Sequence, residues 1–274
     1  MQQFVWKEGV RSYLFVNGVK LEATCFGPPP SQAPVIALLH EGLGCIELWR
    51  SFPKELARVT QCGVFVWSRA GYGASDPVVL PRALDYMSRE ALDVLPGVLD
   101  ALQVNKTVLL GHSDGASIAA IYAGSVQDHR VRGLVLMAPH FFVEQVSIDA
   151  IAAARMAYDT GELKVKLSVY HNDVDVAFNG WCDAWLADEF RDWSIADNID
   201  YLRVPVLAIQ GEQDQYGTMA QIEELERRCY SPVDTTILSD CKHSPHLEKT
   251  QDSLNAIKSF LDRLWIMEDA GGIS

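Results

Sequence analysis

The chain has 274 residues, of which 49% are hydrophobic, and this is enough for the core of one large α/β domain. Its formal net charge of −13 argues against binding to a nucleic-acid backbone or to an anionic membrane surface. The N-terminus shows no secretory signal and no apolar run approaches the roughly 20 residues that span a bilayer, so a cytoplasmic location is predicted. The six cysteines are scattered and favour free thiols over a disulfide framework or a zinc site.

Short apolar runs alternate with amphipathic stretches along the chain. A hairpin signal at Asn17-Gly18 separates two short strands within residues 10–26. Continuous apolar runs predict strands buried on both faces at residues 35–40, 64–67, 107–110, 131–137 and 204–211, and the last strand is predicted at 235–238. Helical spacing predicts helices at residues 48–59, 88–102, 116–126, 219–228 and 251–265, the second of them kinked at Pro96. This alternation predicts an α/β fold with a doubly wound, mostly parallel sheet.

Residues 141–200 interrupt the alternation, because they are helical in pattern and contain no buried-strand run. We expect them to form a helical lid over the carboxyl ends of the strands, with residues 1–140 and 201–274 forming the core. The segment is rich in aromatic residues: Tyr158, Tyr170, Phe178, Trp181, Trp185, Phe190 and Trp193. Most of them are expected to attach the lid to the core, and Trp181 and Trp185 are candidates for lining a substrate pocket.

The pentapeptide Gly111-His112-Ser113-Asp114-Gly115 fits the pattern G-x-S-x-G between a predicted strand and a predicted helix. A serine on such a tight turn needs small neighbours because the backbone is crowded, and the turn lifts its hydroxyl above the sheet edge. The amides at the start of the following helix point at any anion formed beside the serine. The pentapeptide alone is a weak signal, but its position between strand and helix favours a catalytic serine.

A catalytic serine needs a base and a carboxylate that orients the base. Asp214 follows the strand that ends at Gly211, and His243 lies on the loop after the strand 235–238. The three residues therefore occur in the chain order serine, acid, histidine, which is the order expected when the serine lies on a strand-to-helix turn of a parallel sheet. His246 is the rival base, three residues later. Glu212 and Asp240 are the weaker rivals for the acid.

A transition-state oxyanion needs backbone donors, and the loop His40-Glu41-Gly42-Leu43-Gly44 follows the predicted strand at the right place. We expect the amides of Gly42 and Asp114 to form the oxyanion hole, with Leu43 as the alternative to Gly42. The His40 side chain is expected to form a buried structural hydrogen bond.

Together these motifs resemble the α/β-hydrolase superfamily. The resemblance is carried, nearly from end to end, by Leu39–Gly44, Ser68–Asp76, Gly111–Gly115, Gly211–Asp214 and Cys241–His243. It implies Ser113 as nucleophile, His243 as base and Asp214 as orienting acid, with no metal and no cofactor. Relatives usually have glycine before the catalytic histidine, whereas this chain has Lys242, whose side chain we expect to point away from the pocket.

The resemblance implies hydrolysis of a small-molecule ester, lactone or thioester through an acyl-enzyme. A C–C bond hydrolase of the aromatic-degradation type is the alternative, and a non-catalytic ligand-binding member of the fold is a further one. Serine in place of an aspartate nucleophile disfavours epoxides and haloalkanes. No nucleic-acid or membrane partner is expected, and the sequence leaves open whether the chain forms a homo-oligomer.

Two carboxylates close to the nucleophile raise a question of substrate class. Asp114 follows Ser113 directly, and its side chain could bind a substrate ammonium group or instead pair with a basic residue or with amides of the protein. Glu41 raises the same question.

Overall fold

One sheet of eight strands forms the centre of the molecule in the computed structural model, which describes residues 4–271. The strands are β1 (Ser12–Val16), β2 (Val19–Phe26), β3 (Val35–Leu39), β4 (Gly63–Trp67), β5 (Thr107–His112), β6 (Val131–Met137), β7 (Val206–Gly211) and β8 (Val233–Leu238). Their order across the sheet is β1-β2-β4-β3-β5-β6-β7-β8. The pairs β1–β2 and β2–β4 are antiparallel, and all later pairs are parallel. The predicted doubly wound, mostly parallel sheet is therefore confirmed.

Helices cover both faces of the sheet. They are α1 (Phe52–Thr60), α2 (Tyr86–Arg89), α3 (Leu95–Leu102), α4 (Asp114–Ser125), α5 (Gln145–Asp159), α6 (Glu162–Leu167), α7 (Val174–Leu186), α8 (Ala196–Ile199), α9 (Ala220–Arg228), α10 (Pro245–Glu248) and α11 (Thr250–Gly271). Alternate residues of β3 belong to different cores, Ile36 and Leu38 to the one that includes α1 and α11, and Ala37 to the one that includes α3 and α4. This two-sided burial explains why the central strands are apolar throughout.

The predicted helix at residues 88–102 is less regular than a kinked α-helix. A π-helical segment, Glu90–Val94, joins α2 to α3. Pro96 has no N–H to donate to the Leu92 carbonyl, and the backbone takes up this loss in the widened turn just before it. Similarly, the helix predicted over residues 48–59 divides into a 3₁₀ turn at Ile46–Trp49 and α1, with Pro53 in the first turn of α1.

The segment between β6 and β7 is helical, as its pattern indicates, and contains α5 to α8. Several of its aromatic residues pack on each other rather than on a pocket: Tyr158 stacks on Phe178 with 3.7 Å between ring centroids, and Phe190 stacks on Trp193 at 5.2 Å. The division into a core and a separate lid at residues 141–200 stays a prediction.

Parallel strands place the candidate functional loops at one edge of the sheet. The loops after β3, β5, β7 and β8 all begin at carboxyl ends of the parallel strands, where ligands bind in open α/β sheets. All six cysteines are free of disulfide bonds. No helix within residues 4–271 is both long enough and apolar enough to cross a membrane.

Candidate active site

Ser113 lies on a strained turn between β5 and α4. Its backbone has φ 53° and ψ −120°, a conformation that non-glycine residues rarely adopt. The two flanking glycines make this turn possible, because a Cβ at Gly111 would overlap the backbone of Gly115, and a Cβ at Gly115 would overlap the carbonyl of Leu39. The turn places Ser113 at the amino end of α4, where it is 7% exposed and faces a pocket.

Asp214 and His243 lie together at the carboxyl ends of β7 and β8. The Nδ1 atom of His243 lies 2.9 and 2.8 Å from the two carboxylate oxygens of Asp214. Asp214 also accepts hydrogen bonds from the Tyr216 amide at 2.8 Å and from Nε2 of Gln210 at 3.0 Å. Burial would raise the pKa of Asp214, but the hydrogen bond from His243, followed by the Tyr216 amide, lowers it. Asp214 is therefore an ionised acceptor that orients Nδ1–H of His243 towards itself and leaves Nε2 free.

The rival residues lie elsewhere. His246 is buried between Trp49 and His112, with ring centroids 4.8 and 4.7 Å away, and its contacts include no carboxylate of the acid candidates. Glu212 and Asp240 are both exposed. The structure thus brings His243, and not His246, to Asp214.

A pocket of about 450 Å³, counting its open mouth, lies over Ser113 and His243. The pocket candidates from the sequence all line it: Glu41, Asp114, Trp181 and Trp185. Gly42 and Leu43, the candidate oxyanion residues, line it as well. A Cβ at Gly42 would overlap the Trp181 indole, so α7 packs directly on the backbone of this loop.

The loop that carries Gly42 is held by buried hydrogen bonds from two histidines and an arginine. Nε2 of His40 accepts a hydrogen bond from the Arg69 amide at 3.0 Å, so its proton is on Nδ1, which donates to the Glu41 carbonyl at 2.7 Å. The guanidinium of Arg69 donates to the carbonyls of His40 and Glu41. Burial lowers the pKa of His40 well below its usual value, which keeps the ring neutral and this tautomer fixed. His40 is thus a structural residue, as the sequence suggested.

His171 holds the same loop from the other side. Its Nδ1 accepts a hydrogen bond from the Gly73 amide at 3.0 Å, so Nε2 carries the proton and donates to the Leu43 carbonyl at 3.0 Å. Burial lowers the pKa of His171. The carbonyls of three of the four residues from His40 to Leu43 accept these hydrogen bonds, which fixes the loop whose Gly42 and Leu43 amides are the candidate oxyanion donors.

The Asp114 side chain is buried and 1% exposed. Its Oδ2 accepts a hydrogen bond from the Tyr86 hydroxyl at 2.5 Å, and the Tyr86 oxygen accepts one from Nε1 of Trp185 at 3.1 Å. Its Oδ1 is buried without a hydrogen-bond partner among the described residues. Burial raises the pKa of Asp114, while Arg69, the Tyr86 hydroxyl and the nearby Trp185 indole N–H act in the opposite direction. Asp114 thus neither pairs directly with a basic residue nor accepts from amides; a tyrosine holds one of its oxygens.

Glu41 presents its carboxylate to the pocket. The side chain is 26% exposed, and Nδ1 of His112 lies 3.5 Å from its Oε2. Burial alone would raise the pKa of Glu41, but its contact with His112 lowers it. Glu41 is therefore an ionised carboxylate beside the candidate nucleophile.

Four further residues line the pocket that sequence reasoning missed: His140, Ser147, Ile151 and Tyr216. Tyr216 lies 4.7 Å from the His243 ring, and His140 lies 5.7 Å from it. Burial lowers the pKa of His140 to about 3, so this histidine is neutral. The sequence contained one signal for His140, because it lies three residues past the carboxyl end of β6 and the other candidate site residues also follow the ends of strands.

Lys242 is exposed and lies outside the residues that line the pocket, as expected from the sequence. Its backbone amide donates to Glu248 Oε2 at 2.9 Å. Within residues 4–271, no group of three or more His, Cys, Asp or Glu side chains could hold a metal ion.

The fold, the strained serine and the Asp214–His243 pair define a chain of the α/β-hydrolase class. The sequence pattern of the Alpha/beta hydrolase family matches residues 36–256, and the chain belongs to this family. Among curated proteins it is similar to epoxide hydrolase 3 of Siraitia grosvenorii, with 31% identity over 144 residues, which is 52% of this chain and 42% of that protein. The matched stretch therefore spans less than half of the relative's length.

Solved structures show the same fold at lower identity. The enol-lactonase from Burkholderia xenovorans LB400 superposes with a TM-score of 0.73 at 19% identity, over 92% of this chain and 100% of that one. A serine hydrolase involved in carbazole degradation, the CarC enzyme, superposes with a TM-score of 0.73 at 20% identity, over 92% of this chain and 98% of that one. These two likenesses concern the fold.

Proposed function

We propose that this protein is a serine hydrolase that cleaves a carboxylic ester, a lactone or a thioester of a small molecule through an acyl-enzyme intermediate. The observation that carries the proposal is the hydrogen-bonded pair of Asp214 and His243 in the same pocket as Ser113. Ser113 takes a backbone conformation that costs free energy and that a merely structural turn would not need. Its neighbours supply a base and oriented amides, which are the parts that acyl transfer requires.

In the proposed mechanism, Nε2 of His243 takes the proton of the Ser113 hydroxyl as Oγ attacks the substrate carbonyl carbon. The Asp214 carboxylate stabilises the resulting imidazolium and keeps Nε2 directed at the pocket. The amides of Asp114 and of Gly42, or Leu43 in its place, donate to the oxyanion. His243 then protonates the leaving group, and it later activates the water that cleaves the acyl-enzyme.

The names of the curated relatives suggest a different substrate, because the first is an epoxide hydrolase. We do not propose epoxide hydrolysis for this chain, because its candidate nucleophile is serine, and an aspartate would be the nucleophile suited to epoxide opening. A C–C bond hydrolase uses the same three side chains, so such substrates belong in the assay panel.

The test is active-site labelling with a fluorophosphonate, followed by peptide mapping. We expect labelling of Ser113, and we expect Ser113→Ala to lower kcat/KM for a phenyl ester by about 10⁴-fold or more without loss of the folded state. Ser168→Ala, at an exposed position, is the matched control and should keep both labelling and turnover. Labelling at another residue, or ester turnover that survives Ser113→Ala, would contradict the proposal.

A further inference from the structure

The pocket over Ser113 is lined by acidic side chains and by no basic ones apart from histidines. Its lining contains two carboxylates, Glu41 and Asp114, and no lysine or arginine from the part of the chain that the structure describes. Of the two histidines in the lining, His243 is the proposed base, and His140 is held neutral by burial, which lowers its pKa to about 3. A site of this composition repels anionic substrates and attracts cationic ones.

Asp114 keeps a free acceptor beside the nucleophile. The Tyr86 hydroxyl holds Oδ2, while Oδ1 is buried and unpartnered. A buried acceptor without a donor destabilises the protein, so a ligand that supplies the donor regains this loss on binding. Asp114 directly follows Ser113, and adjacent Cα atoms are about 3.8 Å apart, so the donor would lie close to the acyl carbonyl.

The nearby guanidinium groups do not satisfy this oxygen. Arg69 donates to the carbonyls of His40 and Glu41, and Arg82 donates to that of Ala70. Both guanidinium groups lie over the Tyr72 ring, 5.1 and 5.0 Å from its centroid. They lower the cost of burying the Asp114 charge but leave its Oδ1 without a donor.

Aromatic side chains complete the surroundings of the two carboxylates. Trp181 and Trp185 line the pocket from α7, and Tyr216 lines it from the loop after β7. Carboxylates next to aromatic faces are the arrangement that binds ammonium groups, through charge-assisted hydrogen bonds and cation–π contacts.

We propose that this pocket binds a protonated amine carried on the acyl part of the substrate, so that amino-acid esters and related aminoacyl compounds are the preferred class. The inference rests on the proposed serine-hydrolase function and adds the chemical identity of the acyl group. Asp114 Oδ1 and the Glu41 carboxylate accept hydrogen bonds from the ammonium group, and the carbonyl is presented to Ser113 with its leaving group towards the pocket mouth.

The experiment compares two phenyl esters of the same shape, that of alanine and that of 2-methylpropanoic acid, in which a methyl group replaces the ammonium group. At pH 6.5 the alanine amine is largely protonated. Each kcat/KM is divided by the rate constant of hydroxide hydrolysis of the same ester, which removes the intrinsic reactivity. We expect the corrected ratio of alanine ester to its isostere to be about 10 to 100 in the wild type.

The variants test which side chains produce this ratio. Glu41→Gln and Asp114→Asn keep the shape of the side chains and remove their charge, and each should bring the ratio down by about fivefold or more. Glu189→Gln, at an exposed position of the helical segment, is the matched control and should keep the wild-type ratio.

A wild-type ratio near one, with clear turnover of the 2-methylpropanoate ester, would overturn the inference and leave the proposed hydrolase function standing. A high ratio that neither variant changes would also overturn it, because the preference would then come from other groups. Absence of turnover with both esters, together with absence of fluorophosphonate labelling at Ser113, would overturn the proposed function and this inference with it.

Discussion

Gly42 is the residue at which the helical segment and the candidate oxyanion loop meet. A Cβ at this position would overlap Nε1, Cδ1 and Cε2 of Trp181, which itself is 7% exposed and lines the pocket. The Trp181 indole therefore covers the backbone whose amide is proposed to stabilise the oxyanion. Small shifts of either residue should act directly on the chemical step, because oxyanion donors must lie within a few tenths of an ångström of the developing charge.

We predict that Gly42→Ala lowers kcat for a phenyl ester by about 10²-fold, since the new methyl group displaces either the loop or the indole. Trp181→Ala removes the obstacle, so the double variant should turn over at least about fivefold faster than Gly42→Ala alone. Measuring kcat for the wild type, both single variants and the double variant completes the double-mutant cycle. Wild-type activity of Gly42→Ala, or a double variant no faster than it, would show that this contact does not limit the loop.

The connection between α6 and α7 is one of the elements that link the helical segment to the core loops. His171 lies on it, is 5% exposed, and bridges the Gly73 amide to the Leu43 carbonyl across 98 and 128 residues of sequence. The neighbouring Tyr170 makes a different kind of contact, because its hydroxyl accepts a hydrogen bond from Arg50 at the exposed surface. The α6–α7 connection thus makes one buried contact, through His171, and one exposed contact, through Tyr170.

His171→Phe should keep the ring volume and remove both buried hydrogen bonds, leaving a buried N–H and a buried carbonyl without partners. We expect the free energy of unfolding to fall by about 2–4 kcal/mol in urea titrations. Tyr170→Phe is the matched control, and its effect should stay within about 0.5 kcal/mol. Equal losses for the two variants would mean that the His171 bridge does not stabilise the fold.

The sequence was a good guide wherever the signal is local. Apolar runs located the central strands, and the pair Asn17-Gly18 located the first hairpin, because burial and turn conformation depend on neighbouring residues. The π-helical segment at Glu90–Val94 was not predictable, since it depends on how α2 and α3 pack and not on residue type alone.

The same distinction holds within the candidate site. The positions of Asp214 and His243 follow from strand order, and the structure brings these two side chains into contact. The places of His140 and His171 depend on contacts over long sequence separations, which a single sequence does not reveal. The Tyr86 hydroxyl on Asp114 belongs to this second group, so the free Oδ1 could not be foreseen.

Across the whole molecule, most of the histidines are buried. Six of the seven are buried, around the sheet edge that carries the candidate site, and His129 alone is exposed. Burial lowers the pKa of four of them: His40, His140, His171 and His246. The fold therefore holds these rings neutral at pH values where an unfolded chain would protonate them.

This difference predicts an acid-sensitive fold. An unfolded histidine titrates near pH 6.5. Below that pH the unfolded chain therefore binds protons that the folded chain does not bind. This difference persists down to the pKa of each histidine in the folded state, which is about 3 for His140. The free energy of unfolding should fall by about 1 kcal/mol per shifted histidine between pH 6.5 and 5.5, where most carboxylates stay ionised. Urea titrations across this interval measure how the free energy of unfolding changes with pH.

The variant His140→Gln should reduce this pH dependence by the contribution of one histidine, whereas His129→Gln should leave it unchanged, since His129 is exposed. A slope near zero in the wild type would mean that the buried rings take up protons in the folded state, and the neutral tautomers that hold the Gly42 loop would then be lost as well.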